Sequence, residues 1–241
     1  MPACVTDNFR CPDLPECSRQ CRDRGARLHT GTWPYIGAEY GQALIRRYLV
    51  RILFVAMERG GSYDPSYEPA FKDTQYNFRT AAEKRTNPHM GGVAAIMKHL
   101  VDETEPLRYS QQFALTNAVK CVEYTESMNS GSTPEMIRNC KSHLRAEIEA
   151  LNPDLVKTQG THPRHTVCQI LEPIKAVADF ADEAGRTRAT ILAARSRLIV
   201  TTPHPARLKG LGWKSAGLPP FLNAAIQKVR DALVNFATGS P

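Results

Sequence analysis

Two rhythms of apolar positions alternate along the chain. Residues 51–57 (RILFVAM) form a β-rich apolar run of strand length, and 60–69 (GGSYDPSYEP) are dense in turn residues. A polar stretch then continues to about residue 88, too long for an ordinary connection and so marked as functional or partly disordered. Residues 91–103 return to helical spacing, with Ile96, Met97 and Leu100 on one stripe. The second predicted strand is 112–119 (QFALTNAV). In 130–136 (SGSTPEM) a helix starts, with Ser132 and Glu135 in capping-box spacing and Pro134 in the first turn. Ile137, Cys140, Leu144, Ile148 and Leu151 share one face of that helix, which Asn152-Pro153 ends. A third strand is predicted at 154–160 (DLVKTQG), then a helix over 164–184 broken at Pro173, a fourth strand at 196–202 (SRLIVTT) and a last helix over 219–236. In that helix Leu222, Ile226, Val229, Leu233 and Phe236 face inward. There is no internal repeat.

Strand and helix in strict alternation predict an α/β fold: a three-layer α/β/α sandwich around a central, mainly parallel four-stranded sheet. One domain over 1–241 is expected, with residues 1–34 an irregular, Cys-rich segment. Such sheets bind ligands beyond the carboxyl ends of their strands. Those ends carry Glu58 with Arg59-Gly60-Gly61, Thr116-Asn117, Gln159-Gly160, and Pro203-His204-Pro205-Ala206-Arg207. Singly, each is an ordinary turn or loop residue. Together they bring a carboxylate, a carboxamide, a glycine turn and an imidazole to one rim.

Composition narrows the class. The 241 residues are 42% hydrophobic and 23% charged, enough for a large core and too apolar for general disorder. No apolar run approaches the roughly 18 residues of a membrane span, and the start has neither a basic nor an apolar signal region, so no membrane insertion or export is expected. Lys+Arg 31 against Asp+Glu 24 gives a formal charge of +7, a modest hint of an anionic partner. Cysteine usage says more. Cys4, Cys11, Cys17 and Cys21 crowd the first 21 residues while Cys121, Cys140 and Cys168 lie far away, and without export a metal site or buried free thiols outrank disulfides. Two pairs, Cys17 with Cys21 and Cys121 with Cys140, closing on one site would pin the N-terminal segment to the sheet; four thiolates can hold zinc or an iron–sulfur cluster. For Cys140 the plainer reading is a buried thiol on the apolar stripe.

Asn117-Ala118-Val119-Lys120-Cys121, then Ser132-Thr133-Pro134-Glu135 opening a helix that contains Asn139-Cys140, then a Pro-Asp-Leu-Val strand ending at Gly160, then His204-Pro205, resemble the iron–sulfur uracil-DNA glycosylases of families 4 and 5. The likeness runs from about residue 11 to 236. It implies a [4Fe-4S] cluster on Cys17, Cys21, Cys121 and Cys140, with Cys11 a possible replacement because the first pair is spaced by three residues rather than the family's two. It implies that uracil, flipped out of DNA, is read by Asn117, stacked on Phe71 (with Tyr76 and Phe78 as rivals), and lined by Met57 and Gly60. His204 would donate to uracil O2, and Glu58 would hold the attacking water. The family's Gly-Glu-x-Pro-Gly motif reads Met57-Glu58-Arg59-Gly60-Gly61 here, and Asp64 is a substitute acid. Arg207, Lys209 and Lys214, interleaved with Leu208, Leu211 and Trp213, would grip phosphates and wedge into the gap left by the base. The implied protein is a monomer acting on uracil-containing DNA, in the cytoplasm at the nucleoid. Two alternatives stand beside it: a catalytically silent member that binds DNA or abasic sites, and a zinc-stabilised nucleotide-binding protein.

Overall fold

The computed structural model describes residues 11–29, 34–57, 80, 88–124, 130–185, 188–204 and 218–238. In chain order its elements are α1 (Leu14–Asp23), β1 (Arg27–His29), β2 (Tyr35–Ile36), β3 (Ala43–Ile45), β4 (Tyr48–Val50), β5 (Ile52–Ala56), α2 (Pro88–Leu100), α3 (Pro106–Tyr109), β6 (Phe113–Asn117), β7 (Val122–Tyr124) and β8 (Ser130–Gly131). They continue with α4 (Pro134–Leu151), β9 (Leu155–Gln159), α5 (Thr161–Leu171), β10 (Lys175–Ala181), β11 (Arg188–Ala194), β12 (Arg197–Thr202) and α6 (Pro220–Thr238).

The main sheet has seven strands in the order β10-β11-β12-β9-β5-β6-β2, where four were expected. Strands β12, β9, β5 and β6 run parallel to one another in register, and antiparallel β10, β11 and β2 widen the sheet on both sides. Strands β5, β6 and β9 are buried along their whole length, as expected of strands covered on both faces. Two apolar clusters fill the layers. One holds Ile52, Phe54, Phe113 and Leu115 against Met97 and Leu100 of α2 and Ile226 of α6. The other holds Leu53, Val55 and Val156 against Leu144 and Ile148 of α4 and Val167 of α5. Asp154 fixes the amino ends of β5 and β9 together, accepting from the Arg51 backbone N–H at 2.8 Å and from its guanidinium at 2.8 and 3.1 Å.

Four expectations need correction. The helix predicted over 164–184 ends at Leu171, and β10 and β11 follow as a hairpin paired to β12. Ala176, Ala178, Ala181 and Ala184 favour helix by intrinsic propensity, but pairing with β11, whose Ala189, Ile191 and Ala193 are buried on the period of two, overrides it. The cap of α4 is Thr133, not Ser132: its side chain accepts from the Met136 N–H at 3.2 Å. Residues 1–34, expected to be irregular, carry α1 and β1; Phe236, expected inside, is 39% exposed. Among the described residues no helix is long and apolar enough to cross a membrane.

Candidate active site

Parallel alignment of β12, β9, β5 and β6 sets their carboxyl ends side by side. Thr202 pairs with Gln159, Val55 with Thr158, and Ala56 with Asn117, so Thr202, Gln159, Ala56 and Asn117 form one row across four strands. Residues in register share a face of the sheet, here the face covered by α2 and α6. Asn117 is buried at the end of β6. A cavity of ≈ 1110 Å³ opens at this rim, lined among others by Met57, Gln159, Gly160, Pro203 and His204. It continues over the start of α5 toward the β10–β11 hairpin, where Arg164 and Arg188 lie.

Gly160 makes the turn from β9 into α5 with φ +101°, a region that L side chains avoid. Its N–H bonds the Thr202 carbonyl at 2.9 Å, which brings the strand end under His204. The His204 ring lies 5.7 Å, centroid to centroid, from that of His89 at the start of α2. Burial, then the proximity of His204 and Lys157, pushes His89 down to about 3, so it stays neutral beside His204.

The loop after β6 is locked from below. Ala118 and Val119 donate to the carbonyls of Ala56 and Met57, both at 2.8 Å. Lys120, buried, donates to the Glu147 carboxylate at 2.6 Å, to Thr116 Oγ1 at 2.6 Å and to the Asn117 carbonyl at 2.7 Å. Thr116 also donates to Glu147 at 2.7 Å. Burial holds the Glu147 carboxyl above its ordinary range, opposed by the Lys120 charge. The lysine of the Asn-x-x-Lys-Cys stretch thus fixes the backbone that presents Asn117.

Behind this loop the thiols gather. Cys17, Cys121 and Cys140 pack in one cluster with Val119 and Met136, bordered by Met57, Leu14 and Leu28. Cys21 lies one turn after Cys17 on α1 and is fully buried. All four are free. Three sulfurs receive N–H groups: Cys17 from Asn139 at 3.5 Å, Cys140 from the Lys120 backbone at 3.4 Å, and Cys21 from Arg24 at 3.7 Å. Burial pushes the Cys140 thiol up to about 11. Buried thiols in an apolar shell with N–H donors on the sulfurs fit an iron–sulfur cluster, whose thiolates need both charge compensation and such donors. Cys11 lies near Cys17 and Cys140 as well: its Sγ is 3.4 Å from His143 Nε2, and with Asp13 the three ligand atoms lie within 4.8 Å of one another.

Of the residues singled out from sequence, Met57 and His204 line one cavity, Asn117 ends a strand at the same rim, and Cys17, Cys121 and Cys140 pack in one cluster that Met57 borders, with Cys21 one turn after Cys17. Glu58, Gly60, Asp64, Phe71, Tyr76 and Phe78 lie outside the described residues, as do Arg207, Leu208, Lys209, Leu211, Trp213 and Lys214. Gln159 and His89 were not singled out as site residues; Gln159 was readable as a polar side chain at the end of an apolar strand, whereas nothing in the sequence ties His89 to His204. The family model of the uracil DNA glycosylase superfamily matches residues 77–230. The chain belongs to the uracil DNA glycosylase superfamily. The match spans β6, β9, β12 and their helices, and therefore Asn117 and His204, while α1 with Cys17 and Cys21 lies before it. A search of curated proteins found no match. Membership of this superfamily points to a DNA glycosylase, a DNA-binding hydrolase of DNA repair.

Proposed function

We propose that the protein is a uracil-DNA glycosylase of the iron–sulfur type, removing uracil from DNA and leaving an abasic site. The observation that carries the reading is the strand order, which brings Asn117, Met57 and His204 to one carboxyl rim beside an open cavity. Uracil within a duplex is out of reach, so the nucleotide is flipped out or taken from a single strand. The Asn117 carboxamide offers a donor and an acceptor to the O4/N3 edge of uracil and mismatches the amino group of cytosine. As the C1′–N1 bond breaks, its electron pair moves onto the base, and His204 donates a hydrogen bond to O2, where the charge develops. Glu58 holds the water that adds to C1′ and takes up its proton. Phe71 stacks on the base. Arg207, Lys209 and Lys214 hold phosphates while Leu208 and Leu211 fill the gap in the stack.

Cys17, Cys21, Cys121 and Cys140 would hold the [4Fe-4S] cluster, which would join α1 to the loop after β6 and to α4 and would contribute structurally rather than to the reaction. A second reading has an observation in its favour: Cys11, Asp13 and His143 offer sulfur, oxygen and nitrogen ligands suited to zinc. Metal analysis with visible absorbance separates the two, since only the cluster contributes colour and iron. Turnover on a uracil-containing oligonucleotide separates the enzyme from a silent binder: alkali-labile sites are expected, and tight binding without them overturns the enzyme reading.

A further inference from the structure

The base-reading row contains a second carboxamide. Gln159 is 1% exposed, lines the cavity, and sits in register between Thr202 of β12 and, continuing the Val55–Thr158 pairing by one residue, Ala56 of β5. Ala56 in turn pairs with Asn117. The backbones that carry Gln159 and Asn117 are therefore two strand spacings apart, about 9.6 Å. Ala56 between them is the smallest side chain in the row. Two carboxamides thus stand on one face at that separation with only a methyl group between; Gln159 lines the cavity and Asn117 ends the same row.

The hydrogen bonding of Gln159 gives a second, independent observation. Neither its Oε1 nor its Nε2 has a partner among the described residues, although both atoms are covered. A buried amide left without partners costs the protein its lost hydration. In the preceding row Val200, Phe54 and Leu115 are apolar, and Lys157, two residues before Gln159, is likewise buried with no hydrogen-bond partner for its Nζ among the described residues. A glutamine with both polar atoms uncompensated at the mouth of a ligand cavity is explained by a ligand that compensates them. Asn117, by contrast, belongs to a loop held from below by Lys120.

We propose that Gln159 is a second base-contacting residue, paired across Ala56 with Asn117, whose amide N–H donates to uracil O2 alongside His204. The inference rests on the glycosylase reading for the identity of its ligand as a nucleobase. A carboxamide supplies either a donor or an acceptor, so Gln159 addresses oxo groups and ring nitrogens alike. Asn117 on β6 reads the O4/N3 side of the base and Gln159 on β9 donates to one lone pair of O2, which leaves the other to His204 as charge develops.

Gln159→Leu keeps the size and removes both polar atoms. Two non-hydrolysable probes are used: an oligonucleotide carrying 2′-fluoro-deoxyuridine, which presents the base, and one carrying a tetrahydrofuran abasic analogue, which does not. The variant is expected to melt at or above the wild-type temperature, since an uncompensated amide has been removed. It is expected to bind the base-bearing probe about tenfold more weakly, the equivalent of one good hydrogen bond, and to bind the abasic probe as wild type does. Equal binding of both probes by variant and wild type overturns the proposal. So does a lower melting temperature with equal loss on both probes, which would make Gln159 a structural residue. Because neither probe is cleaved, absence of base release by the wild type would defeat the glycosylase reading and leave this test readable.

Discussion

At the residue scale the site depends on side chains whose roles differ in sign and size. Asn117→Asp exchanges the amide donor for a carboxylate that repels the developing uracil anion; base release is expected to fall about 10²–10³-fold, the scale of one lost transition-state donor. Gly160→Ala meets no close atom, since the new Cβ would stand 4.0 Å from His204 Cβ. Its cost is backbone strain at φ +101°, about 1–3 kcal/mol, read as a lower melting temperature. His89 gives the protein an acid sensitivity. Its folded value of about 3 lies below the 6.5 of an unconstrained imidazole, so between those values the unfolded chain binds more protons and stability falls as pH falls. About 1–2 kcal/mol is expected to be lost from pH 7 to pH 5. Glu147, held high by burial, acts in the opposite sense, so the effect is measured as the difference between wild type and His89→Gln in melts across that range.

At the element scale, the loop after β6 is positioned by a buried ion pair rather than by its own sequence. Glu147→Ala leaves the Lys120 ammonium without its counter-charge and is expected to cost about 3–5 kcal/mol in denaturant unfolding. The double variant Lys120→Met, Glu147→Leu is expected to recover much of that stability, because well-packed apolar pairs replace buried ion pairs at little cost. It releases the Asn117 carbonyl, so base release should stay low while the melt recovers. The same scale shows where sequence reading succeeds. Strands β5, β6, β9 and β12 stood out as apolar runs bounded by turn residues, and α4 by its three-four spacing and Pro134. The β10–β11 hairpin did not, because its pairing with β12 is a long-range contact that alanine-rich local sequence does not signal. Residues 14–23 concealed a helix for a similar reason: α1 presents only Cys17 and Cys21 to the interior, too few apolar positions to mark a stripe.

For the whole molecule, the thiol cluster joins the N-terminal segment to the site. Cys17 and Cys21 come from α1, Cys121 follows the Asn117 loop, and Cys140 lies in α4 with its sulfur bonded by the Lys120 N–H. Sequence alone marked Cys17 and Cys21, which lack the apolar stripe that accounts for a buried Cys140, and the structure packs Cys17 with Cys121 and Cys140. The side chains of Lys120 and Glu147 were not legible as partners, since a buried pair between a loop and the next helix leaves no spacing signature. Protein purified without oxygen is expected to carry about four irons per chain and visible absorbance. Removing the iron should lower the melting temperature, and Cys121→Ser should do both at once. The central claim, that this rim excises uracil, is tested most directly by measuring free uracil released from a duplex with one deoxyuridine, for wild type and Asn117→Asp. Release by the wild type in step with alkali-labile sites, nearly abolished in the variant, is the expected result. No uracil from the wild type, or equal release by both proteins, would contradict it.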